Sequence, residues 1–177
     1  AATLYVDASN TTGVEDGTID HPFNTIMEGI NSAVNGDIVR VSAGTYNENV
    51  TIASKQISLI GQSPANTTIQ AANNVISISG TFSAGAETVE IANFAITGGT
   101  NSGIYLNSTT VYGLIHNNII IGNYNGIYPS ASDATVYNNA IVNNTNAGFY
   151  VYNTGASITA INNIIVNNMY GIRTVTN

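Results

Sequence analysis

Two periodicities divide the chain. Between Phe23 and Val34 the apolar residues Phe23, Ile26, Met27, Ile30 and Val34 recur at three- and four-residue steps, which places them on one face of a helix. Pro22 stands where a first helical residue can, and Asn35-Gly36 supplies a stop. The pattern therefore predicts one short amphipathic helix with a single stripe to bury. From Asp37 onward that period is replaced by short β-branched runs, Ile38-Val39-Arg40-Val41, Ile57-Ser58-Leu59-Ile60, Val75-Ile76-Ser77-Ile78 and Val89-Glu90-Ile91, separated by Gly, Asn, Ser and Thr. These read as strands and turns.

A repeat underlies the second region. Gly-Ile or Gly-Phe pairs begin at Gly103, Gly126, Gly148 and Gly171, and the last three follow the segments Asn117–Asn123, Asn138–Asn144 and Asn162–Asn168. A unit of about 22 residues with two or three strands and no helix cannot bury its own apolar face, so it must stack on copies of itself. Leucine-rich repeats share the length but need a Leu lattice that this chain lacks. The solution left is a parallel β-solenoid with strands about 4.8 Å apart. Asn118, Asn139 and Asn163, inward at the bends, would then pair above and below as a ladder, which offsets the cost of burying amides.

The opening Leu4-Tyr5-Val6-Asp7, Asp16-Gly17-Thr18, Pro22-Phe23-Asn24-Thr25-Ile26, Gly36-Asp37-Ile38-Val39-Arg40-Val41, Ala43-Gly44-Thr45-Tyr46-Asn47-Glu48 and Ile57-Ser58-Leu59-Ile60-Gly61, with the Asn-Asn-x-Ile-x-x-Asn coils, resemble right-handed parallel β-helix proteins of the pectin-lyase-like superfamily. The resemblance implies an all-β fold, a right-handed single-stranded parallel β-helix with a short N-terminal capping helix. The expected organisation is one domain over 1–177: strand, loop and capping helix in 1–36, then about six to seven coils in 37–177. Because one scaffold hosts lyases, hydrolases, esterases, adhesins and surface-layer proteins, the resemblance speaks to fold more than to function.

Composition narrows the function. Of 177 residues only 7% are charged, ten acidic and three basic, for a net charge of −7; 27 asparagines and 35 serines and threonines carry the polarity instead. Nucleic-acid binding needs clustered cations, and Arg40, Lys55 and Arg173 do not cluster in sequence. Without cysteine there is no disulfide, thiolate metal site or Cys nucleophile. No apolar run reaches the roughly 18 residues of a membrane span. The Ala1-Ala2-Thr3 start resembles what signal-peptidase cleavage leaves, so an extracellular or cell-surface location is expected.

Candidate chemistry is sparse. Family lyases and hydrolases need convergent carboxylates, whereas the coils offer Glu87, Glu90 and Asp133 with His116 and Arg173, which read as scattered loop charges and a wall position. No catalytic residue and no cofactor is expected. Asp7, Glu15, Asp16 and Asp20 fall within 14 residues and form the candidate calcium loop. Sequons stand at Asn10, Asn49, Asn66, Asn107 and Asn143.

The outward positions carry more information. With Ile120, Ile141 and Ile165 inward, Ile119, Ile121, Val142, Ile164 and Val166 form an apolar stripe, an interaction face. If Ile104, Ile127 and Phe149 point in, Tyr105, Tyr128 and Tyr150 stack outside as a glycan platform or protein contact. The chain also stops within a coil, leaving strand edges open. From these features the leading expectation is a non-catalytic structural protein of the cell surface, a subunit of a surface layer, sheath or filament whose partner is itself, with cell-surface glycans as further partners. The alternative is a carbohydrate-binding module or a fragment of a polysaccharide lyase or hydrolase.

Overall fold

The computed structural model describes residues 1–82, 87–152 and 155–175; the side chain of Glu87 lies outside them. Three parallel sheets wrap one core. The first holds Thr3–Val6, Ile38–Val41, Ser58–Gly61, Glu87–Ala92, Val111–His116, Asp133–Tyr137 and Ser157–Ile161, in that order. The second stacks Gly44–Tyr46, Thr67–Gln70, Ala95–Thr97, Ile119–Ile121, Ala140–Val142 and Ile164–Val166. The third stacks Val50–Ala53, Asn74–Ser79, Ser102–Asn107, Asn125–Pro129, Ala147–Tyr152 and Tyr170–Val175. Each circuit visits the sheets in turn, and five steps carry the first sheet from Ile38–Val41 to Ser157–Ile161, about five turns instead of the six to seven expected, because one step, Ser58↔Glu90, takes 32 residues.

Alternation along the strands sorts the side chains. Inward residues such as Val39, Leu59, Ile76, Ile91, Ile104, Ile120, Ile127 and Ile141 are fully buried. Glycines permit the close approach between rungs: a Cβ on Gly126 would lie 2.6 Å from the Gly148 carbonyl oxygen and 2.6 Å from Ile141, and one on Gly103 would lie 2.9 Å from the Gly126 carbonyl oxygen. That crowding explains why the repeat carries Gly before each inward Ile or Phe.

At the first bend Asn118 Oδ1 accepts from the Phe94 backbone N–H at 3.0 Å, while the Asn118 backbone and amide N–H groups donate to Asn139 Oδ1 at 3.0 and 3.1 Å. Asn139 repeats both donations to Asn163 Oδ1, at 3.0 Å each. A second ladder, Asn123 to Asn144 to Asn168, runs along the next bend with the same geometry. The repeat already contained its residues, yet nothing in the spacing marked them as inward.

The helix is shorter than its apolar stripe. It spans Ile26–Ser32, with Thr25 as N-cap in a reciprocal box with Glu28, and the Glu48 carboxylate accepts from the Ile26 and Met27 N–H groups at 2.8 and 3.0 Å. Pro22 and Phe23 precede it in extended chain, because Phe23 pairs with Val6 in a parallel bridge. Val34, expected on the buried stripe, is 65% exposed, since the helix ends before it at Ala33. Ile26 and Ile30 are buried, and the helix packs on strands Thr3–Val6, Ile38–Val41 and Val50–Ala53. At that contact a Cβ on Gly29 would meet Val6 at 2.8 Å.

Candidate functional site

The three outer faces differ in chemistry. On the second sheet Ile119, Ile121, Ala140, Val142, Ile164 and Val166 face outward, the last coil's Ile164 and Val166 most exposed. Where this face meets the first bend, a depression of about 420 Å³ is floored by Ile119, Ala140 and Ile164 and edged by Asn117, Asn138, Asn162 and Pro64.

On the third sheet the register Thr51↔Ser77↔Tyr105↔Tyr128 aligns one outward residue per rung, and Tyr150↔Arg173 continues it. The Tyr105 and Tyr128 rings meet edge to face at 5.0 Å, and Tyr128 and Tyr150 at 4.8 Å, the favoured arrangement for aromatic quadrupoles. Tyr152 stacks beside Tyr150. Arg173 closes the column, its guanidinium 5.5 Å from the Tyr150 ring centre and 5.2 Å from that of Tyr170, with Nη1 donating to Asn146 Oδ1 at 3.0 Å. Burial, then the neighbouring Tyr105 and Tyr150, push the Tyr128 phenol up.

The first sheet carries Glu90, His116 and Asp133. Glu90 is not a loop charge: it lies within strand Glu87–Ala92, and its Oε1 is 2.8 Å from His116 Nε2 one rung away. The two side chains are 27% and 13% exposed. Tyr137 stacks on the imidazole at 4.6 Å, and the buried His116 Nδ1 has no hydrogen-bond partner among the described residues. Burial alone would raise the Glu90 carboxyl, but hydrogen bonds from Ser58 and His116 and the charge of the imidazole outweigh it and hold the group below its usual value. Beside it opens a cleft of about 250 Å³ lined by Gln56, Ser58, Thr88, Glu90 and Leu114. Tyr137 and Ile161 follow His116 in register, as the repeat indicates, but the reach back to Glu90 is diagonal across a rung and leaves no mark in the spacing.

The candidate calcium loop does not converge. Asp7 Oδ1 accepts from Ser9, Asp16 Oδ1 accepts from Thr18, and Glu15 accepts from Asn24. Asp7 and Asp16 thus serve turns and Glu15 an adjacent loop. Among the described residues no group of three or more His, Cys, Asp or Glu is placed to hold a metal ion. Of the sequon asparagines, Asn49, Asn66, Asn107 and Asn143 are exposed. The Asn10 amide donates to the Val14 and Pro22 carbonyls, and that of Asn49 to Ala72 and Asn74. Among the described residues no helix is long and apolar enough to cross a membrane.

A family model described as a right handed beta helix region matches residues 35–177. No curated protein matches the sequence. Among solved structures, the chain is similar to the pectin methylesterase PemA from Erwinia chrysanthemi, with a TM-score of 0.65 and 15% identity over 86% of this chain and 58% of that one. It is also similar to a pectin methylesterase variant in complex with a hexasaccharide, with a TM-score of 0.54 and 14% identity over 89% of this chain and 66% of that one. For the pectin methylesterase from carrot the TM-score is 0.51 and the identity 15%, over 98% of this chain and 71% of that one. The chain thus spans less than two thirds of the length of the first two.

These comparisons overturn the leading expectation from sequence, a non-catalytic structural subunit of a surface layer, sheath or filament. The solved proteins that share its fold here are carbohydrate-active enzymes, so the alternative, a carbohydrate-binding or polysaccharide-acting β-helix, is the better supported. Outward apolar residues on a sheet face occur in β-solenoids of any function class and do not single out a structural subunit.

Proposed function

The chain belongs to the right-handed β-helix family of pectin-lyase-like proteins, and from that premise we propose that it is a secreted polysaccharide-recognising β-helix, the sugar-holding part of a carbohydrate-active protein. The observation that carries this reading is the tyrosine column, Tyr105, Tyr128 and Tyr150, in edge-to-face contact along the third sheet. Aromatic rings take the apolar faces of sugars while their hydroxyls donate and accept, and rings already packed on one another lose little entropy on binding. Parallel strands repeat the platform at each rung, about every 4.8 Å, which suits an extended chain of sugars lying along the solenoid axis. In this reading the helix Ile26–Ser32 shields the core at the N-terminal mouth.

Affinity electrophoresis through gels containing a panel of polysaccharides provides the test. The wild-type chain should be retarded in at least one gel, and Tyr128→Ala should weaken that interaction about tenfold or more while keeping the same β-sheet circular dichroism. Migration unchanged in every gel, or equal retardation of the variant, removes the platform. The Glu90–His116 pair favours a second reading, in which a glycan bound in the cleft beside it on the first sheet, not on the tyrosine column, meets the Glu90 carboxylate as a base. There Glu90→Gln should bind sugar normally and form no product.

A further inference from the structure

We infer that the ligand of the tyrosine column is an uncharged polysaccharide and not a polyuronate, an inference that rests on the platform reading above. A polyanion lying along the solenoid needs a cation near each repeated carboxylate. The chain has three basic side chains against ten acidic ones, and their placement is the deciding fact.

Lys55 is consumed by the fold: its ammonium donates to the Ile30 and Asn31 carbonyls at 2.7 and 2.9 Å, offsetting the negative end of the helix dipole. Arg40 is exposed on the first sheet, a different face. Arg173 alone reaches the column, at one end, and there it lies over the Tyr150 and Tyr170 rings and holds Asn146. The rungs before it present Thr51, Ser77, Tyr105 and Tyr128, each with one hydroxyl and no charge. Such a row exchanges hydrogen bonds with sugar hydroxyls and offers a carboxylate nothing to neutralise it. At a distance, a net charge of −7 also slows the approach of a polyanion. The depression of about 420 Å³ beside the first bend repeats the pattern, with Pro64, the amides of Asn117, Asn138 and Asn162 and Ile119, Ala140 and Ile164, and no ionisable side chain.

A paired comparison varies the charge: polygalacturonate and its fully methyl-esterified form have the same backbone, and the ester replaces each ionised carboxylate with a neutral methyl ester. An unrelated neutral galactan extends the test. By isothermal titration at low ionic strength, the neutral probes should bind at least about tenfold more tightly than polygalacturonate, and high salt should narrow the gap by screening. Arg40→Gln, on the first sheet and away from the column, should leave neutral binding within about twofold. Polygalacturonate binding as tightly as the neutral probes, and weakened by both Arg173→Gln and Tyr128→Ala, would overturn the inference while leaving the platform in place. Absence of binding to all three probes removes the platform reading, and this inference with it.

Discussion

The early and late coils solve the same bend differently. In register, Ile38↔Ser58 and Ser58↔Glu90 step by 20 and 32 residues, whereas Glu90↔Leu114, Leu114↔Thr135 and Thr135↔Thr159 step by 24, 21 and 24. Followed through the second sheet's register, the first bend is occupied in turn by Thr67, Phe94, Asn118, Asn139 and Asn163. Phe94 fills its bend by shape and is fully buried. From Asn118 onward the bend is filled by hydrogen bonding. Each of Asn118 and Asn139 donates both to a backbone carbonyl and to the amide oxygen at the same place in the next coil, so a ladder favours both identity and spacing. An apolar bend tolerates any side chain of suitable volume, and loops of any length between rungs.

Breaking a ladder should therefore cost more than altering an apolar bend. Asn139→Leu takes the acceptor from the Asn118 backbone N–H and from one of the Asn118 amide hydrogens, and the side-chain donor from the Ile115 and Tyr137 carbonyls, while Asn163 Oδ1 keeps the backbone N–H of residue 139; urea unfolding should show a loss of about 3–5 kcal/mol, from several buried groups each worth about 1–3. A loss under about 1 kcal/mol would mean that water replaces the amide. Gly126→Ala in the same coils should cost about 1–3 kcal/mol through overpacking against the Gly148 carbonyl. Gly155→Ala, with open space around its Cβ position, should stay within about 0.5 kcal/mol. In the earlier coil Phe94→Leu keeps an apolar filler and should cost about 1–1.5 kcal/mol; a loss equal to that of Asn139→Leu would erase the distinction between the two bends.

The smallest effect is on pH dependence. The Glu90 carboxyl lies below its ordinary 4.5 in the folded chain, so its ionised form favours folding. That contribution is complete above the unfolded-state value and is lost as pH falls through the lower folded-state one. Glu90→Gln should flatten the acid limb of a stability profile below about pH 4.5 and change little at neutral pH. Asp37, held low by the Ala2 and Val34 N–H groups, will keep part of the slope in the variant. An acid limb identical to wild type would show that Ser58 and His116 do not favour the ionised form.

The sequence by itself determined the solenoid, because hydrogen-bonded amides and close-approach glycines recur at fixed intervals in any chain that uses them. The Asn117–Asn123, Asn138–Asn144 and Asn162–Asn168 segments, and Gly103, Gly126 and Gly148, are visible without coordinates for that reason. The inward set Asn118, Asn139 and Asn163 and the outward tyrosines follow from strand alternation alone. Only the tertiary structure decided the remainder. Phe23 was recruited to a bridge with Val6 instead of the helix, Asp7 and Asp16 turned to local hydrogen bonds, and Glu48 was brought to the helix N-terminus from 22 residues away. Glu90 met His116 across a rung, 26 positions apart in the chain. Such contacts depend on how loops of unequal length set one coil over the next, and on side chains that reach diagonally between rungs, neither of which a local period encodes.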